Sequence, residues 1–124
     1  MKPMVLVSLL RQINETMERE EAYITSVGEG KFTPRVAIAM AKNKRKLEEE
    51  VQVIAEIEEK NKKLAESKGI PLEELKEQRE FMEAELDVDL ETVTEGDISG
   101  CDGLTSKDFY VLLFMTEEKE EKDA

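Results

Sequence analysis

The sequence predicts a mainly α fold: a long helical hairpin with a small β element as a minor α+β component. Three observations predict it. Of the 124 residues 39% are charged and 5% aromatic, with three prolines and no Trp, a composition of long solvated helices rather than of a β domain. Apolar residues recur at steps of three and four through most of the chain before Leu86, which is helical spacing. Between Pro34 and Gly69 there is neither Pro nor Gly, which leaves room for one unusually long helix.

The elements follow in order. Residues 2–6, KPMVL, read as a short extended lead-in, held to a sheet edge by Pro3. Ser8 is placed to cap a helix over 8–25, with Leu6, Leu9, Leu10, Ile13 and Met17 along one face. GEG at 28–30 is a loop. Thr33-Pro34 then starts a helix: Thr supplies a capping oxygen, and Pro at the first helical position gives up no needed N–H. Ser67-Lys68-Gly69-Ile70-Pro71 stops it, with Gly in the left-handed closing position. A helix over 34–68 is roughly 52 Å long. A compact domain of this size measures roughly 30–35 Å, so the helix must protrude or the domain must be elongated.

The long helix carries a seam. Met40, Leu47 and Ile54 recur every seventh residue, flanked by Val51, Ile57 and Leu64, and Asn43 and Asn61 fall on the same stripe. Seam asparagines cost stability and fix register or oligomer state. The eight are the candidate interaction residues, for the chain's own helices or for a second copy in a coiled-coil homodimer. Ahead of them VAIAMA at 36–41 is small and apolar all round, suited to a close neighbour.

Pro71 opens a further helix over 71–85, and Leu86, Val88 and Leu90 alternate with acidic residues as in a half-buried strand at 86–93, paired with 2–6. GDISGCDG at 96–103 reads as loop and turn. Thr105-x-x-Asp108 is a capping box with Asp in place of Glu, so FYVLLFM at 109–115 reads as helix rather than strand, closing the core in preference to serving as a docking segment. Residues 1–116 form a single helical domain in this reading. The acidic tail 117–124 is expected to be disordered.

Composition excludes several kinds of chemistry. With no histidine, the chain lacks Ser-His and Cys-His nucleophile pairs and Cys/His zinc sites. Cys101 is the single cysteine, so no internal disulfide forms, and its flanking carboxylates disfavour a reactive thiolate. Glu85, Asp87, Asp89 and Glu91 share a strand face and offer hard oxygens to Mg²⁺ or Ca²⁺, yet side chains two apart on a strand splay along it. They read as the wet face of an edge strand, where charge opposes aggregation. Asp97 to Asp108 misses a calcium loop: Asp102 stands where Gly is required, and Asp108 where the closing Glu belongs. The glycines have no phosphate-loop or dinucleotide spacing. No catalytic residue, cofactor or metal is expected, and the chain is not read as an enzyme.

No apolar run reaches the ~20 residues of a membrane helix, and MKPMVLVSLLR lacks a cleavage site. A cytoplasmic protein is expected. KNKRK at 42–46 lies inside the long helix, with Lys44, Arg45 and Lys46 each four residues before a Glu at 48–50. It reads as a solvated face rather than a nucleic-acid handle. Residues 1–69 hold 13 basic and 12 acidic side chains, residues 70–124 hold 5 and 18, so the net charge of −12 belongs to the C-terminal half. That half repels nucleic acid and attracts basic surfaces. It also admits an alternative function, mimicry of a phosphate backbone to inhibit a nucleic-acid-binding protein.

The pattern Thr33-Pro34-x-x-Ala37-x-x-x-Ala41-Lys42-Asn43-x-x-Lys46-Leu47-Glu48-x-Glu50, with a helix closing at Gly69, LDVDL at 86–90 and Leu104 to Asp108 behind it, resembles small uncharacterised proteins of phages and prophages of Gram-positive bacteria. The resemblance spans most of residues 1–115 and implies a phage context, residence in the host cytoplasm and a non-enzymatic role. With the bottom-up reading, it leads to an expected function as a non-catalytic interaction protein acting through helix-mediated protein–protein contacts.

Overall fold

The computed structural model describes residues 1–116; the tail expectation for 117–124 falls outside them. The order is α1 (Pro3–Val27), α2 (Pro34–Lys68), a 3-10 turn (Leu72–Glu74), α3 (Lys76–Met82), α4 (Glu95–Ser99) and α5 (Ser106–Phe114). The architecture is mainly α, with α1 and α2 as a hairpin-like pair. The long helix is unbroken over all 35 residues. Both of its ends are set by local chemistry. Thr33 Oγ1 accepts from the Val36 N–H at 3.3 Å, and the Thr33 carbonyl accepts from Ala37 at 2.9 Å. At the far end Gly69 has φ +68°, its N–H donates to Glu66 and that of Ile70 to Ala65, the closing pair of a Schellman cap.

The described chain groups into two compact units, each built on part of α1 and part of α2: Met1–Leu10 with Lys46–Val88, and Arg11–Arg45 with 89–116. In the first, Leu6, Leu9, Leu47, Ile54, Ala65 and Leu75 are buried. Asn61 Nδ2 donates to Gln78 Oε1 at 2.9 Å, both side chains buried, and Gln78 Nε2 donates to Glu58 at 3.4 Å. The chain start is tied down too. The Met1 carbonyl accepts from the Leu86 N–H at 2.8 Å, the terminal ammonium donates to the Leu86 carbonyl at 2.9 Å, and Lys2 bonds Glu83 at 2.8 Å. In the second unit Ile13, Phe32, Val36, Ala39, Met40, Val93, Ile98, Val111, Leu112 and Met115 are buried.

Four expectations are corrected. Residues 2–6 are not an extended lead-in: α1 starts at Pro3, where a residue without an N–H loses nothing, and the Lys2 carbonyl accepts from Val5 and Leu6. The helix expected over 71–85 is a 3-10 turn and a short α3, parted at Leu75, which is extended (φ −74°, ψ 127°) and wholly buried. The segment 86–93 forms no ladder. Its apolar residues are less exposed than Asp87 and Asp89, but β structure among the described residues is one parallel bridge, Val93 to Thr116. Residues 96–103 are not all loop, because Glu95–Ser99 is helical behind a Thr94–Asp97 capping box.

Candidate partner-binding face

The face is built from the second unit. It begins with Thr105, whose Oγ1 accepts from the Asp108 N–H at 3.2 Å while Asp108 Oδ2 accepts from the Thr105 N–H at 3.0 Å. This capping box sets the start of α5. Asp108 does more than cap. Its Oδ1 accepts from Arg19 Nε at 3.0 Å and Nη2 at 2.8 Å, and its Oδ2 accepts from Lys31 Nζ at 2.9 Å. The carboxylate is fully buried and Lys31 is 5% exposed. Burial pushes the Asp108 pKa up, but the Thr105 N–H and the two cations outweigh it and hold the group below the ordinary carboxylate value. One carboxylate thus fastens α5 to α1 and to the segment leading into α2. Lys31 Nζ also lies over the Tyr23 ring, 5.4 Å from its centre. Gly103, at φ +67°, passes so close to that ring that a Cβ would sit 2.8 Å from Tyr23 Oη.

The short α4 is fixed in the same way. Thr94 caps α4, its Oγ1 accepting from the Asp97 N–H at 3.0 Å while Asp97 Oδ2 accepts from the Thr94 N–H at 2.9 Å, and Asp97 also pairs with Arg35 at 3.0 Å. The Thr94 backbone bond, and then Arg35, hold its pKa low against the effect of desolvation. Beyond α5 the Val93 N–H donates to the Met115 carbonyl at 2.9 Å.

Anchored at both ends, α5 divides its apolar run between two faces. Val111, Leu112 and Met115 point inward and are buried, whereas Phe109, Tyr110, Leu113 and Phe114 are 44%, 55%, 57% and 39% exposed. At 3.6 residues per turn the four span an arc of roughly 140°. Tyr110 and Phe114 meet edge to face, with centroids 6.0 Å apart. Beside Phe109 and Leu113 lies a groove of about 480 Å³, completed by Glu95, Ile98, Ser99, Cys101 and Leu104. Surface apolar residues scattered singly need no explanation, but four on one short helix beside an apolar groove are the kind of patch that marks an interaction site.

The seam of α2 is placed differently from this face. Met40, Asn43, Leu47, Ile54 and Asn61 are buried within the chain, while Val51, Ile57 and Leu64 keep partial exposure. Asn43 bonds the Glu91 backbone twice, Nδ2 donating to its carbonyl at 3.0 Å and Oδ1 accepting from its N–H at 2.7 Å. The seam asparagines therefore fix register inside one chain, and most of the seam is unavailable to a second copy. Within KNKRK, Asn43 is the inward residue.

No protein-family model, characterised protein or solved structure matches this chain.

The carboxylates at 85–91 do not converge. Glu85 meets the terminal ammonium at 3.2 Å, and among the described residues no three Cys, Asp or Glu side chains gather where an ion would sit. Cys101 is half-buried, with its thiol 3.6 Å from the Asp97 carbonyl oxygen. No described helix is long and apolar enough to cross a membrane. The core role that the sequence favours for 109–115 belongs to its inward half alone. Both halves are apolar, so hydrophobic periodicity offered no contrast between them.

Proposed function

We propose that this protein is a non-catalytic interaction protein, of phage or prophage origin, that works by helix-mediated contact with another protein through the outer face of α5. The observation that carries the reading is the exposure of Phe109, Tyr110, Leu113 and Phe114 on a helix that Asp108 fastens to Arg19 and Lys31. Large side chains kept in water at a fixed spacing lower the ordering cost of binding. The resemblance to phage and prophage proteins supplies the biological setting, and phage genes are expected on either side of this one.

A second reading, an acidic mimic of nucleic acid, draws on residues 85–104, which hold seven carboxylates and no basic side chain. Salt separates the two. Immobilised protein is challenged with lysate of a Gram-positive host, wild type beside Leu113→Glu and Val53→Glu, the latter an exposed α2 site that does not line the groove. The docking reading expects a protein held by wild type and Val53→Glu through 0.5 M NaCl and lost from Leu113→Glu. Proteins released alike from all three by salt would favour mimicry instead, because screening weakens exposed charge contacts. Identical salt-resistant binding to all three would remove α5 from the reading.

A further inference from the structure

We infer that the groove between α4 and α5 receives a basic amphipathic helix of the partner, its apolar stripe seated on Ile98, Leu104, Phe109 and Leu113 and its Lys or Arg residues turned toward Glu95 and Asp102. The inference rests on the docking reading above and names the chemistry of what docks. The groove is lined mostly by apolar side chains, so the occupant must bring large apolar residues of its own. Helix is favoured over strand because strand addition needs a free sheet edge, and the described residues form only one isolated bridge. The nine residues of α5 run roughly 13 Å, matching an occupant of two to three turns.

Charge decides the rest. Glu95 lines the groove and Asp102 adjoins Cys101 in its wall. Asp97 pairs with Arg35, whereas the carboxylates of Glu95 and Asp102 meet no cation among the described residues. A basic occupant would neutralise them. A second copy would instead bring another chain of net charge −12, set against the repulsion that carries. Residues 117–124, EEKEEKDA, contain no large apolar side chain.

The probes are three labelled 14-residue helical peptides: an amphipathic Lys–Leu peptide, a Glu–Leu peptide of the same pattern, and a Lys–Ser peptide of the same charge. Binding to the full chain is followed by fluorescence anisotropy. The Lys–Leu peptide is expected to bind at least tenfold more tightly than either of the others. Leu113→Glu and Phe109→Glu should each weaken it tenfold or more, the double change Glu95→Gln/Asp102→Asn about threefold, and Val53→Glu not at all. Both apolar positions are exposed, and circular dichroism checks that the variants fold. As a readout free of variants, the Lys–Leu peptide should slow maleimide labelling of Cys101, the only thiol, which lines the groove.

Equal binding of the Lys–Ser peptide would reduce the contact to charge and overturn the inference. A Glu–Leu peptide that binds as well as Lys–Leu, and loses binding in Leu113→Glu, would overturn it while leaving the docking reading intact. Unchanged labelling of Cys101 at saturating peptide, or a dimer in sedimentation velocity that Leu113→Glu dissolves, would also overturn it.

Discussion

Asp108 shows how much one residue can carry. It caps α5, neutralises the buried Lys31 and accepts both a guanidinium nitrogen pair and a backbone N–H. Truncating one partner of a buried ion pair leaves the other charge stranded, at about 3–5 kcal/mol, and losing the bond from the Thr105 N–H adds about 1 kcal/mol. Against a typical total of about 5–15 kcal/mol, Asp108→Ala should remove a large part of the stability, as read by urea denaturation followed by circular dichroism. Arg19 keeps some exposure and can turn to water, but Lys31 cannot. Asp108→Leu combined with Lys31→Met should therefore recover more than half of the loss. The same carboxylate sets an acid limit. Its folded pKa lies below the ordinary value, so its stabilisation is fully present above the unfolded carboxylate pKa of about 3.9 and fades as pH falls through the lower folded one. Asp97, also held low, acts in the same direction. Denaturation midpoints should hold from pH 7 to about pH 5 and drop below about pH 4, and Asp108→Asn should show a shallower drop from a lower plateau.

Elements in this chain end where local chemistry ends them, with one exception. Thr33-Pro34, the Gly69 cap and the Thr105–Asp108 box all act within a few residues, and each was legible for that reason. Thr94-x-x-Asp97 has the same spacing as Thr105-x-x-Asp108, but the glycines that follow it disguised the helix. The break at Leu75 has no local signal. It coincides with the burial of Leu75 and with the Gln78–Asn61 bond, and such tertiary contacts override propensity. Those contacts can be tested. Asn61→Leu leaves Gln78 buried with only the long 3.4 Å bond to Glu58, and should cost about 1–3 kcal/mol in urea denaturation. Asn61→Leu with Gln78→Leu replaces both polar groups and should fall within about 1 kcal/mol of wild type. The seam was legible as a buried stripe, since Met40, Leu47 and Ile54 are all internal. What covers it was not: neither the Glu91 backbone on Asn43 nor Gln78 on Asn61 leaves a mark at helical spacing. The candidate face was half legible. FYVLLFM announced an apolar helix, but which of its residues turn outward depends on Asp108 and its partners in distant segments.

At the scale of the whole molecule, charge works in two opposed ways. A net charge of −12 with 18 of 30 carboxylates beyond residue 69 sets up repulsion between copies and within the folded chain. The ion pairs that matter most, Lys31 and Arg19 on Asp108, are the best shielded, whereas the excess carboxylates at 85–104 include several in the solvent. Salt shortens the Debye length from roughly 30 Å at 0.01 M to about 8 Å at 0.15 M, so it should relieve the repulsion and leave the buried pairs almost untouched. The melting temperature should therefore rise by several degrees between 10 and 150 mM NaCl and then flatten. Asp108→Leu/Lys31→Met should follow the same slope from a lower starting point. A wild-type melting temperature that falls with salt would mean that exposed pairs such as Lys2–Glu83 and Arg35–Asp97 outweigh the excess charge. Binding should separate from stability in the same titration. The proposed docking on Phe109 and Leu113 would rest on apolar area and should survive to 0.5 M, while any share from Glu95 and Asp102 should be lost early.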